Sequence, residues 1–206
     1  MSLSKRLLDL ALVLILAVFL LPVLLVLLLV MALVEGRPFF YVSERMKTPE
    51  TGFQLIKLRS MRVAEGANSG VSGGDKAGRI SRFGHFLRRS RLDELPQLWN
   101  VLKGDISFVG PRPPLRIYVE KYPQIYRAVL ASRPGITGLA TLVFHAHEER
   151  LLAPCKTAAA TEAVYEQRCI PRKARLDLIY QKRRNLCFDL VLIARTGAKL
   201  LPKRRG

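Results

Sequence analysis

The chain has 206 residues, with 34 Lys and Arg against 16 Asp and Glu and a formal net charge of +18. That length suits one compact body and is short for two, and an excess of cations this large calls for an anionic partner: nucleic acid, acidic phospholipid headgroups or a phosphorylated substrate. Cys155, Cys169 and Cys187 never form a CxxC pair, which argues against a disulfide framework or a thiolate zinc site, and HAHEER at 145–150 lacks the i, i+4 histidine pair of a helical zinc protease.

Leu10 to Val34 is an apolar run without a single charge. As one helix it is long enough to cross a hydrocarbon core of about 30 Å. Pro22, near its middle, removes a backbone donor and is expected to bend or break the helix there. Lys5 and Arg6 precede the run, and Arg37, Arg45 and Lys47 follow it, so the positive-inside tendency votes for the cytoplasm at both ends. A re-entrant helix-break-helix satisfies both votes; a kinked span with its N-terminus outside is the alternative, because proline is tolerated in spanning helices. A cleaved signal peptide fits less well, since the run far exceeds an h-region. The expected division is a membrane-embedded segment over residues 1–36 and a cytosolic domain over 37–206. From residue 41 onward the chain carries 31 Lys and Arg against 14 Asp and Glu.

PFFYVSER and GFQLIKLRSM have the aromatic and branched content of two short strands, followed by a Gly- and Ser-rich loop from Glu65 to Gly78 that reads as mobile. Ile80, Phe83 and Leu87 recur at helical spacing, with Arg82, Arg88, Arg89 and Arg91 on or beside that helix. Pro96 limits the start of the next helix to about Leu92 or Asp93, because its missing N–H must fall where no partner is needed. Leu95, Leu98, Trp99 and Leu102 then form the expected buried stripe, Asp93, Gln97 and Asn100 share another face, and Gly104 is the stop. A competing frame reads Ser90 and Asp93 as a capping box, starting the helix a turn earlier.

ISFVG is a short strand candidate, PRPP at 111–114 holds Arg112 between stiff prolines, and Arg133-Pro134-Gly135 makes a tight basic turn. Residues 145–175 are charged and helix-prone without a clear stripe. The segment of about 186–201 reads as an amphipathic helix on the membrane, followed by Lys203, Arg204 and Arg205; a core helix with a basic tail is the other reading.

Asp93 and Glu94 carry the chemistry. Acidic residues in a first helical turn are most often caps that offset the dipole. The free N–H groups there also keep a carboxylate ionised, and an ionised Asp can attack phosphorus to give a phospho-Asp intermediate if cations neutralise the transferring oxygens. Lys57, Arg59, Arg88, Arg112 and Arg133 are the candidate phosphate-binding cations, and Glu94 could join Asp93 in holding Mg²⁺.

LDELPQLWNVLKGDISFVGPRPP at 92–114, RPGITG at 133–138 and FQLIKLRSM at 53–61 resemble the bacterial sugar transferases, small monotopic phosphoglycosyl transferases. The resemblance implies that Asp93 is the nucleophile of an Asp-Glu dyad with Glu94 its partner, and that Pro22 breaks a re-entrant helix. It also implies Mg²⁺, a nucleotide-diphosphate sugar donor, and a polyprenyl (undecaprenyl) phosphate acceptor in a phospholipid membrane. The implied reaction moves a sugar 1-phosphate, from what is expected to be a UDP-sugar, to the lipid through a phosphosugar-Asp intermediate. UMP is released in this first membrane step of glycoconjugate or exopolysaccharide synthesis. The expected place is the bacterial inner (cytoplasmic) membrane, with the catalytic domain on its cytoplasmic face. The expected fold is mainly α with a few short strands, a monotopic membrane protein with a re-entrant N-terminal helix and interfacial amphipathic helices. A homodimer stays open.

Two positions depart from the family pattern. Leu21 stands where members often carry a Ser before the proline, and LATLVFHAHEER follows RPGITG in place of an aromatic, a Gln and a Gly-Arg pair. The rival reading is a membrane-tethered polyanion-binding or scaffold protein; the basic residues lack an interleaved aromatic platform and match no common DNA-binding motif, so no nucleic-acid partner is expected. No Asp-x-Asp metal motif occurs, and a single apolar run excludes the multi-span class of phosphoglycosyl transferases.

Overall fold

The computed structural model describes residues 1–62 and 78–200. The loop expected at 65–78 lies outside them except for its last residue, as does the basic tail of Lys203, Arg204 and Arg205. The order of elements is α1 (Leu3–Val34), β1 (Phe40–Met46), β2 (Gly52–Leu58), α2 (Arg82–Ser90), a 3-10 turn (Leu92–Glu94), α3 (Gln97–Lys103), β3 (Ser107–Val109), α4 (Arg116–Lys121), α5 (Pro123–Val129), β4 (Gly135–Thr137), α6 (Leu139–Leu152), α7 (Ala158–Val164), a π-helical turn (Tyr165–Cys169), α8 (Ile170–Arg183) and α9 (Leu186–Leu200). The protein is therefore mostly helical with a few short strands.

β1 and β2 form the antiparallel hairpin that the two aromatic and branched segments predict, with Tyr41 opposite Lys57 and Ser43 opposite Leu55. β3, within ISFVG, pairs in parallel with β4, which the basic turn at 133–135 leads into. The pair is closely packed: a Cβ on Gly135 would lie 2.3 Å from the backbone nitrogen of Gly110. One core cluster joins Phe53, Leu55, Val101, Ile106, Phe108 and Tyr180, and another gathers Tyr118, Tyr126, Phe144, Tyr165 and Ile170 from α4 to α8.

α1 begins at the Ser2 cap and runs without interruption through Pro22. The expected break at Pro22 is not present. Proline removes one donor, and Leu21, unlike a Ser, offers no side-chain hydroxyl to compete for the backbone, so the flanking Leu and Val turns continue the helix. The 32 residues span about 48 Å at 1.5 Å per residue. Both ends nevertheless lie against the same body. Near the start, Arg6 donates to the carbonyls of Val101 and Leu102 at 2.6 and 2.7 Å, Lys5 pairs with Asp189 of α9, and Asp9 accepts from Ser107 Oγ and the Phe108 N–H. Val13 joins the core there. Near the end, Leu27 and Met31 pack on Leu58 and Leu87, and Arg59 donates to the carbonyls of Glu35 and Gly36, both at 2.9 Å. Lys5 and Arg6, expected as membrane-flanking charges, thus bind the helix to the body. The change in composition at residue 36 is not a break in packing.

The expected stripe divides: Leu95 and Leu98 pack against the core, whereas Trp99 and Leu102 turn outward. Trp99 is 56% exposed and Leu102 38%, while Gln97, Asn100 and Val101 are buried. The cause is Asn100, whose side chain donates to the Gln54 carbonyl at 2.8 Å and accepts from the Ile56 N–H at 3.2 Å, answering main-chain groups of β2. Unpaired, those groups would each cost about 1–3 kcal/mol, comparable to burying a large apolar side chain, so the polar face goes in. Val18 and Phe19, in the middle of α1, are 71% and 69% exposed, and α9 leaves Leu186, Leu190 and Val191 open while burying Leu192 and Asp189. Trp99 is the chain's only tryptophan. Its fluorescence is expected to shift to the blue on addition of phospholipid vesicles and to be quenched by brominated acyl chains; an unchanged spectrum would place this face in water.

Candidate active site

Three segments converge on the acidic pair. α2 starts at Ser81, whose side chain caps Gly84, and ends at Arg91, a non-glycine residue in the left-handed region at φ 59°. Such a conformation costs about 1–2 kcal/mol without glycine and ends the helix abruptly. The chain restarts as the 3-10 turn, with Glu94 N–H bonded to Arg91 and Leu95 N–H to Leu92, and α3 follows from Gln97. A helical turn does start at Leu92, as the Pro96 frame expects, but as a 3-10 turn set apart from α3; the capping-box frame is not realised. Ser90 bonds back to the carbonyls of Phe86 and Leu87 instead of capping Asp93, and the two acids lie in a separate turn ahead of α3, not in its first turn.

The second segment is β2 with the residues after it. Lys57 projects from the strand, and Ser60 accepts from Arg88 Nε at 2.8 Å. α2 approaches so closely that a Cβ on Gly84 would meet the Ser60 carbonyl at 2.1 Å. Only glycine permits this contact, which brings Arg88 beside the turn. The third segment is the proline-rich loop, pinned by Met46 N–H to the Pro114 carbonyl, Gly135 N–H to that of Pro111, and Arg45 to that of Pro113. Arg112 is held between these anchors.

Glu94 is the meeting point. Its Oε1 accepts from Lys57 Nζ at 2.8 Å and from Arg112 Nη2 at 2.9 Å, and its Oε2 lies 3.6 Å from Arg91 Nη1. Burial alone would raise its pKa, but the charges of Arg112, Lys57 and Arg91 outweigh that and hold it well below the usual carboxylate range. Glu94 in turn pushes the Arg112 pKa up. Asp93 is equally buried, at 7% exposure, yet its carboxylate has neither hydrogen bond nor ion pair among the described residues. Burial raises its pKa, Lys57 opposes this, the Glu94 charge adds to it, and Arg88 and Arg112 oppose it further. One carboxylate is saturated and its neighbour is free inside the same positive field. That combination suits a nucleophile, which must be ionised but must not be spent on a fixed partner.

Of the expected cations, Lys57, Arg88 and Arg112 gather here. Arg59 and Arg133 do not. Arg59 caps the end of α1, and Arg133 donates to the Gly104 carbonyl at 2.6 Å at the far end of α3, each answering main-chain carbonyls left open at a helix terminus. Arg91 was counted in the sequence only within a basic stripe. Its role depends on a left-handed backbone that no residue pattern announces.

Among the described residues, no three His, Cys, Asp or Glu side chains gather as a metal cluster. Both Glu94 oxygens face cations, Oε1 toward Lys57 and Arg112 and Oε2 toward Arg91. Asp93 alone is open to a divalent ion, which fits Mg²⁺ bound mainly by substrate phosphates and water with one protein carboxylate.

A family model described as "Bacterial sugar transferase" matches residues 1–203. A UDP-glucose:undecaprenyl-phosphate glucose-1-phosphate transferase of Xanthomonas campestris pv. campestris is 31% identical over 205 residues, covering 98% of this chain and 39% of that protein. An enzyme of the same name from Caulobacter vibrioides is 35% identical over 143 residues, covering 68% and 53%. A Bacillus subtilis protein named, provisionally, as an undecaprenyl-phosphate N-acetylgalactosaminyl 1-phosphate transferase is 40% identical over 118 residues, covering 57% and 66%. The chain thus spans less than two thirds of the length of each relative.

Glu94→Gln is expected to destabilise the protein by about 3–5 kcal/mol at pH 7, because it leaves three clustered cations without their counter-charge. The folded Glu94 titrates below its ordinary value of 4.5, so its contribution is complete above that pH and is lost as pH falls through the folded value. Denaturant melts should show the gap between wild type and Glu94→Gln narrowing below pH 4.5; a gap independent of pH would contradict the assignment.

Proposed function

The chain belongs to the bacterial sugar transferase family, and on that footing we propose that it transfers a sugar 1-phosphate from a UDP-sugar to undecaprenyl phosphate, with Asp93 as the nucleophile. The observation that carries this reading is the unpartnered, buried carboxylate of Asp93 beside three cations and a neighbour that is already neutralised. The printed names of the relatives, which pair a nucleotide sugar or a sugar 1-phosphate with undecaprenyl phosphate, support the substrate class. Those names differ in the sugar, so the sugar is left open.

The donor diphosphate is a dianion and must approach a carboxylate. Among the described residues Arg88 commits its Nε, to Ser60, and Arg112 one Nη, to Glu94, which leaves their remaining N–H groups to donate to phosphate oxygens. In the first step an Asp93 oxygen forms a bond to the β-phosphorus as the bridging bond to the α-phosphate breaks, and UMP leaves with the electron pair. In the second, an oxygen of the lipid phosphate attacks the same phosphorus and Asp93 departs as a carboxylate. Atoms and charge balance without a general base, since both nucleophiles are already ionised. Lys57 and Arg112 remain fixed on Glu94 throughout, so the positive field needs no rearrangement as charge moves onto the transferring oxygens. Mg²⁺, held by Asp93 and the donor phosphates, would supply further neutralisation of the diphosphate. Shielding the phospho-Asp from water is the role of the burial around Asp93.

The same footing favours a monotopic placement in the inner membrane, with the catalytic body on the cytoplasmic face. A helix about 48 Å long, with both ends bonded to one body, is difficult to reconcile with ends on opposite sides of a bilayer. The exposed apolar faces of α1 and α3 and the basic body suit an acidic lipid surface.

Incubation with donor alone is expected to give a phosphosugar adduct on Asp93 by mass spectrometry, and Asp93→Asn is expected to abolish both the adduct and transfer, by about 10⁴-fold. Persistence of transfer in that variant would sink the mechanism. Because burial holds the Asp93 pKa above its ordinary 3.8, the acid limb of the pH–rate profile should lie above that value, the rate falling as the carboxylate gains a proton. An acid limb at or below it would mean that some other group controls the rate.

A further inference from the structure

The segment at 145–175, for which the sequence offered no role, forms a second concave and strongly basic site. The C-terminal half of α6, the turn after it, α7 and the π-helical turn border an open depression of about 620 Å³ that the exposed Arg150, Lys156 and Arg168 line. A second lobe of about 310 Å³ carries His147, Arg168 and Arg172. Leu151 and Arg168 belong to both, so the two lobes form one groove with Arg168 in the wall between them. Arg168 sits in the π-helical turn, a widened helical turn of the kind that recurs at functional sites.

Neither lobe is lined by an Asp or a Glu. Arg150, Lys156, Arg168 and Arg172 form no ion pair among the described residues. Arg172 instead lies 3.4 Å from His147 Nε2, and Arg150 spends its Nε on the Ala146 carbonyl. Of the acids on these elements, Glu148 is paired with Lys173 and Glu166 with Lys121, Glu149 lies 3.5 Å from His145, and Glu162 of α7 lines neither lobe. Four cations therefore line one concavity without an ion-paired acid among the described residues, an arrangement of local repulsion that an anion relieves. Pro154 and Val164 in the first lobe and Pro171 in the second, with the shared Leu151, give the groove an apolar floor. Arginine forks over an apolar floor match a phosphate group joined to a less polar body.

We propose that this groove, none of whose lining residues belongs to the cluster around Asp93, is a binding site for a phosphate-bearing ligand; Glu148 and Lys173, beside it, are within electrostatic reach of Arg112. A soluble phosphorylated molecule and an anionic phospholipid headgroup share the required chemistry.

The test is hydrogen–deuterium exchange on the full chain in phosphatidylcholine nanodiscs, with pyrophosphate as the soluble probe and nanodiscs containing phosphatidylglycerol as the lipid probe. Slower exchange in peptides spanning 147–172 is expected with at least one probe. Pyrophosphate alone would identify the soluble source, and phosphatidylglycerol alone the lipid. Arg168→Ala with Arg172→Ala should remove that protection while leaving any protection over 88–112 intact. Both side chains are exposed, so the pair should keep the fold, and the exposed Lys156→Ala provides a second variant expected to weaken pyrophosphate binding by about tenfold, the loss of one charge-assisted hydrogen bond. The proposal is overturned if neither probe protects 147–172, or if protection there persists in the Arg168→Ala, Arg172→Ala protein.

Discussion

The carboxylate of Glu94 organises the molecule. Lys57 reaches it from a strand, Arg112 from a proline-held loop and Arg91 from the left-handed end of a helix, so three separate pieces of chain are drawn to one buried charge. Burying an ionised carboxylate is costly unless it is answered, and here three partly exposed bases answer one buried acid. This neutralisation lets Asp93, one residue earlier, remain buried and unpaired. Were Glu94 apolar, Lys57 and Arg112 would be free to collapse onto Asp93, and the nucleophile would be lost to a salt bridge.

The same division between paired and open groups organises the membrane side. Lys5, Arg6 and Asp9 at the start of α1 and the final carbonyls of α1 at its end all find partners on the body. Between these anchors the helix shows only hydrocarbon. α3 repeats the pattern on a smaller scale, spending Asn100 on β2 and turning Trp99 outward. α3 thus buries Val101 and the polar Gln97 and Asn100 while leaving its large aromatic exposed. At a lipid surface, an apolar exterior and satisfied polar contacts toward the protein are mutually consistent, and Asp93 lies in the turn that leads into α3.

Much of this was legible in the chain. The apolar run, the hairpin strands, the short strand before the proline-rich loop, and the Asp-Glu pair ahead of Pro96 depend on local composition and spacing, which act over a few residues. Three features differ from the local pattern. Pro22 leaves α1 unbroken, and half of the apolar stripe leading into α3 turns outward because Asn100 answers main-chain groups of β2. Arg59 and Arg133 resemble phosphate ligands in sequence because a guanidinium that caps a helix and one that binds phosphate are the same group; only the position of the nearest open carbonyl separates them.

What the sequence determined by itself is the chemistry available: a nucleophilic carboxylate, a surplus of cations and a membrane-seeking helix, each encoded by residue type and short-range order. The tertiary structure alone decided which acid is free and which is bound, which cations serve the site, and that both ends of α1 return to one body. Those outcomes depend on contacts between residues as much as 184 positions apart, as between Lys5 and Asp189. Distances of that kind are set by the packing of the whole chain, and no local pattern carries them.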